Sequence, residues 1–129
     1  MAEVTMQVNL FCRDVERTLA FFVALGLPEA FRAPHEGQVE HAEVQAGSAR
    51  IGLTSIEALR RHTGLEATSG TTASSEVVLW CDSVDDWHAR ALAAGATNLR
   101  DPAVSPDGRL RFSWAQDPEG HQVKFVEEA

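Results

Sequence analysis

The sequence predicts an α+β fold: two tandem βαβββ modules forming a curved mixed sheet. Three observations predict it. First, the chain repeats itself. Moved forward by 69 positions, Leu10 falls on Leu79, Cys12 on Cys81, Val15 on Val84, Glu16 on Asp85, Ala20 on Ala89, Ala24 on Ala93 and Gly26 on Gly95. Second, each copy reads as a strand followed by a helix that glycine stops. Third, short alternating segments broken by turn residues follow each helix. A unit this small cannot bury its apolar face alone, so the copies are expected to share one core. The chain has 129 residues, 44% of them apolar. That suits a single domain over 1–129, with repeats at about 4–55 and 76–127 and a flexible linker at 56–75.

The elements follow in order. Residues 4–12 alternate as a strand. Asp14 caps a helix over 15–25 that puts Val15, Leu19 and Phe22 on one face, and Gly26 ends it. Strands are expected at 29–33, 38–46 and 49–55, broken by Pro34-His35-Glu36-Gly37 and Gly47-Ser48. Ser55 caps a short helix through Arg61. The Gly/Ser/Thr-rich stretch 63–75 reads as mobile. The second copy has a strand at 76–82 and a helix at 84–94 capped by Ser83, with Gly95 as its stop. Strands near 98–101, 109–116 and 121–127 complete it. Asp107-Gly108 and Glu119-Gly120 supply turns.

The formal charge is −8. Such a surface repels phosphate backbones, which argues against a nucleic acid partner. No apolar run reaches the roughly 18 residues of a membrane span, and Met1-Ala2-Glu3 does not begin a signal peptide, so no membrane partner and a cytoplasmic location are expected. Cys12 and Cys81 close equivalent strands and are expected to be buried free thiols. No Cys/His cluster has zinc spacing, no G-x-S-x-G is present, and the glycines form no phosphate loop.

Three segments then carry a family resemblance: VNLFCRDVERTLAFFVALG, VVLWCDSVDDWHARALAAGA and SWAQDPEGHQVKFVEE, the last with a D-P-x-G turn before a final strand. With them the chain resembles the vicinal oxygen chelate superfamily, which includes glyoxalase I, bleomycin resistance proteins and extradiol dioxygenases. It is closest in look to the bleomycin-resistance-type drug-binding branch, through EVVLWCDSVDDW and VKFVEE. The resemblance covers nearly the whole chain and implies the glyoxalase/bleomycin resistance-like fold. Metal-dependent members place ligands at four positions, which map here onto Gln7, Gly52, Glu76 and Lys124. A catalytic divalent ion wants three or four His, Asp or Glu donors. Glycine offers none and lysine repels a cation, so no metal and no other cofactor is expected. Of the histidines, His35 and His62 read as loop or helix-end residues, His88 lies on a helix and His121 starts a strand. Only His41 could reach a groove.

A groove remains without the metal. Alternate strand residues share a face. Asn9 and Phe11 join Gln7, Arg50 and Thr54 join Gly52, and Val78 and Trp80 join Glu76. Phe112 and Trp114 come from the strand before the D-P-x-G turn. Trp87 is expected in the core. Aromatic surfaces with sparse polar anchors suit conjugated organic ligands. The expected ligand-binding set is Gln7, Asn9, Phe11, Arg50, Gly52, Glu76, Val78, Trp80, Phe112, Trp114 and Lys124, with no catalytic residue. The expected function is non-catalytic sequestration of an aromatic or polycyclic antibiotic-like small molecule in a groove at a homodimer interface, conferring resistance. Open sheet edges motivate the dimer. The alternative is a metal-independent or metal-dependent lyase, isomerase or dioxygenase of the same fold, with Glu76 as general base.

Overall fold

A computed structural model describes residues 3–70 and 73–129. Met1-Ala2 and linker residues Thr71-Thr72 lie outside the described residues. The chain divides into two compact units, Met1–Thr68 and Ser69–Ala129.

The first unit contains β1 (Val8–Cys12), α1 (Val15–Leu25), β2 (Glu29–His35), β3 (Gln38–Ala46), β4 (Ala49–Ser55) and α2 (Ile56–Thr63). Its sheet has the order β1-β4-β3-β2, with β1 parallel to β4 and the other pairs antiparallel. The second unit contains β5 (Glu76–Trp80), α3 (Val84–Ala93), β6 (Thr97–Val104), β7 (Leu110–Gln116) and β8 (Gln122–Glu128). Its order is β5-β8-β7-β6, with the same mixed pairing. This is the α+β fold of two βαβββ modules.

Caps set the helices. The Asp14 carboxylate accepts from the Arg17 amide at 3.1 Å, and Gly26 closes α1 at φ 120°, where a Cβ would be strained. Ser55 and Ser83 cap α2 and α3 in the same way, at 3.1 and 3.2 Å. Val15, Leu19, Phe22 and Leu25 of α1 are buried with Val44 and Leu53 in the first core. In the second, Val84, His88 and Ala91 of α3 are buried with Ala115, Val123 and Phe125. His88 is a satisfied core histidine: its Nδ1 meets Ser113 Oγ at 2.8 Å and its Nε2 meets Asn98 Oδ1 at 3.0 Å. Trp87 is half-buried, 6.4 Å from Phe125, with the Arg90 guanidinium 4.2 Å above its ring.

Several boundaries differ from the sequence reading. The first strand begins at Val8 rather than residue 4, because β4, its neighbour in the sheet, first pairs with it there through Ile51. Pro34 and His35 belong to β2, since an edge strand tolerates proline, and only Glu36-Gly37 turn. Helix α2 runs on to Thr63, so the stretch 56–75 opens as a helix. Glu40 of β3 ties α2 to the sheet through Arg61 at 2.7 Å and His62 at 2.9 Å. The strand expected at 98–101 extends over Thr97–Val104. Cys12 is fully buried, but Cys81 is only partly so. It lies one residue beyond β5, where its amide donates to the Val126 carbonyl at 2.9 Å. No helix among the described residues is long and apolar enough to cross a membrane.

Candidate functional site

Each sheet turns one face to its helix and leaves the other uncovered by it. The expected binding residues fall into two groups, one per unit.

In the first unit, register places Asn9 beside Gly52 and Gly52 beside Glu43; one step on, Phe11 lies beside Thr54 and Thr54 beside His41. Gly52 is what lets this face close over with amides. A Cβ built on it would lie 1.9 Å from Asn9 Oδ1 and 2.8 Å from Gln7 Nε2, so the two amides occupy the space that a side chain would fill. Gln7 Nε2 donates to Asn9 Oδ1 and to Glu43 Oε2, both at 3.0 Å. Arg50 donates to Glu43 Oε1 at 2.9 Å. His41 Nε2 meets Glu43 Oε2 at 2.8 Å, and its Nδ1 meets Thr54 Oγ1 at 3.0 Å. Hydrogen bonds from His41, Gln7 and Arg50 hold the Glu43 carboxyl well below the usual range, at about 2.

Glu43 is the hub of this network, and the sequence reading missed it. The signal was present: Glu43 stands two residues from His41 on an alternating strand, so the two share a face.

In the second unit, Val78 pairs with Lys124 and Lys124 with Trp114; Trp80 pairs with Val126 and Val126 with Phe112. Trp114 Nε1 donates to Glu76 Oε2 at 3.0 Å, and Gln122 approaches the same oxygen at 3.4 Å. The rings of Phe112 and Trp114 lie 4.7 Å apart. The Lys124 ammonium sits 5.3 Å from the Phe112 centroid and 5.2 Å from that of Trp114, within cation–π range. Val78 and Trp80 are 42% and 65% exposed, large values for apolar side chains. Toward the opposite edge of the sheet, Leu99, Arg100, Trp114 and Gln122 line an open hollow of about 290 Å³. Leu99, Arg100 and Gln122 were not anticipated. Arg100 joins the set because β6 pairs it with Trp114, a neighbour set by register and two bulges.

The superfamily's metal positions do not suit a divalent ion in this chain. Gly52 has no donor and is covered by two amides. Gln7 turns its NH2 group toward Asn9 and Glu43, and Lys124 brings an ammonium over two rings. Among the described residues no group of three or more His, Cys, Asp or Glu side chains is placed to hold a metal ion.

Comparisons with known proteins bear on the fold. The chain is similar in structure to TioX from Micromonospora sp. ML1, with 26% identity, a TM-score of 0.74, and 98% of this chain and 100% of that one covered. It is similar to a glyoxalase-related enzyme from Fulvimarina pelagi at 22% identity and TM-score 0.80, covering 98% and 88% of the two chains. It is also similar to a lactoylglutathione lyase from Agrobacterium tumefaciens at 19% identity and TM-score 0.71, covering 98% and 95%. No curated protein matches it significantly. Residues 5–125, nearly the whole chain, match the family model of the Glyoxalase/Bleomycin resistance protein/Dioxygenase superfamily, and the chain belongs to that superfamily.

Proposed function

We propose that this protein binds a flat aromatic or polycyclic small molecule without chemically changing it, and that it sequesters an antibiotic-like compound in this way. The observation that carries the reading is the Trp80 indole, 65% exposed on the same sheet face as the Phe112–Trp114 pair. An indole left in water on the same face as other aromatic rings, with one strand between, gains from stacking on a conjugated ligand. Lys124 and Arg100 add positive charge to this face, which favours a ligand carrying a phenolate or carboxylate. The protein acts as a homodimer, with its exposed sheet edges covered by a second copy and the binding groove at that interface. It works in the cytoplasm and needs neither metal nor cofactor.

The test is a titration with polycyclic aromatic antibiotics, followed by tryptophan fluorescence and thermal shift, with and without added nickel, zinc or manganese. Quenching and a raised melting temperature without metal support binding. Turnover that appears only with an added metal sinks the reading. Light scattering that gives a stable monomer at micromolar concentration overturns the dimer.

A further inference from the structure

We propose that the first unit carries a separate acyl-transfer site, in which Thr54 is the nucleophile, His41 its general base and Glu43 the positioning carboxylate, acting on activated esters.

The argument starts from who can donate. Glu43 Oε1 takes the Arg50 guanidinium and Oε2 takes the Gln7 amide. An ionised carboxylate only accepts, so His41 Nε2 must carry the hydrogen that points at it. In the neutral imidazole, Nδ1 is then an acceptor, and the hydrogen bond at 3.0 Å runs from the Thr54 hydroxyl to Nδ1. The order is carboxylate, imidazole, hydroxyl, which is the arrangement that activates a weak oxygen nucleophile. Three strand positions build it. His41 and Thr54 are direct cross-strand partners, and Glu43 lies one alternation along β3. All three side chains are partly exposed rather than sealed in the core.

The surroundings fit the same chemistry. Phe31 lies 6.2 Å from the His41 ring, and Phe11 is the parallel-strand neighbour of Thr54, so apolar groups flank the hydroxyl. Asn9 accepts from Gln7 through Oδ1.

The reaction balances without a metal or redox partner. The Thr54 proton passes to His41 Nδ1 as Oγ1 bonds to the ester carbonyl carbon. The carbonyl reforms, the ester carbon–oxygen bond breaks, and the alcohol or phenol leaves with the proton from Nδ1. Water, deprotonated by the same nitrogen, then cleaves the acyl-threonine, which releases the acid and restores the hydroxyl.

The experiment uses p-nitrophenyl acetate with the full chain. The expected result is a burst of p-nitrophenolate, one acetyl group on the peptide containing Thr54, and slower steady turnover. Thr54→Val and His41→Gln should each lower the rate about 100-fold and abolish the burst, whereas Thr54→Ser keeps it. Glu43→Gln should lower kcat about 10-fold or more with KM unchanged, since it acts through His41 rather than on substrate. Circular dichroism checks that each variant is folded. If Thr54→Val or His41→Gln does not fold, the position of the acetyl group in wild type decides. A wild-type rate equal to that of folded Thr54→Val, or acetylation confined to amines such as Lys124, overturns the proposal. Fluorescence quenching by a polycyclic ligand tests the aromatic binding reading, so intact quenching without acylation overturns this site alone.

Discussion

The two sheets of this protein share a strand order and a register, yet present opposite chemistry. Position by position, Gln7 corresponds to Glu76, Asn9 to Val78 and Phe11 to Trp80. On the neighbouring strands Gly52 corresponds to Lys124, Glu43 to Trp114 and His41 to Phe112. The first face is a carboxylate-centred hydrogen-bond network over a glycine. The second is an aromatic surface under an ammonium. The difference teaches that duplication preserves which positions are neighbours, because strand pairing sets that, while substitution at those positions is free to give each copy its own use. A carboxylate at Trp114's position would lose the ring that Lys124 covers. An indole at position 43 would take from Gln7, His41 and Arg50 the carboxylate that they share.

Four measurements sharpen or break this comparison. The largest effects are expected at Gly52 and Glu43. Gly52→Val pushes aside the ends of two flexible, exposed side chains, Asn9 and Gln7, and takes Gln7 away from Glu43, so it should destabilise the first unit by about 2 kcal/mol, the middle of the range for overpacking. Lys124→Val at the equivalent position should cost far less. Circular dichroism melts of both variants make the comparison, and equal losses would mean that the two faces are packed alike.

Next comes Glu43→Gln, which leaves His41, Gln7 and Arg50 facing a neutral amide and should cost about 2 kcal/mol. It should also change the acid response. The folded Glu43 carboxyl sits at about 2, below its ordinary value of 4.5. Its contribution is therefore complete above about pH 4.5 and is lost as pH falls toward and through 2. Urea melts across that window should show wild type losing more stability than Glu43→Gln. Matching slopes would show that the carboxylate is not held as described.

Trp80→Ala should weaken aromatic ligand binding by about 1.5 kcal/mol while leaving the melting temperature nearly unchanged, because the indole is mostly in water. A large drop in melting temperature instead would make Trp80 structural. All three tryptophans, Trp80, Trp87 and Trp114, lie in the second unit. The smallest effect is expected for Trp114→Phe, which keeps a ring under Lys124 but removes the donor to Glu76. A loss of under about 1 kcal/mol is expected for one partly exposed hydrogen bond.

Much of the fold was legible in the residues because its signals are local. Asp14, Ser55 and Ser83 cap the helices, Gly26 and Gly95 follow two of them at positive φ, and the 69-residue offset reveals the duplication. Period-two alternation was enough to group Asn9 with Phe11 and Val78 with Trp80. Tertiary structure alone decided what those groups touch. Glu43 became a hub because β3 pairs with β4 in a register that sets it beside a glycine, and the missing side chain admits two amides from the next strand. Lys124 came to rest over Phe112 and Trp114, while Glu76 received the Trp114 indole N–H. Partners such as these lie on different strands, in one case 38 residues apart in the chain. Their contact depends on the registers of several strands at once, and a period read along a single strand carries no information about them.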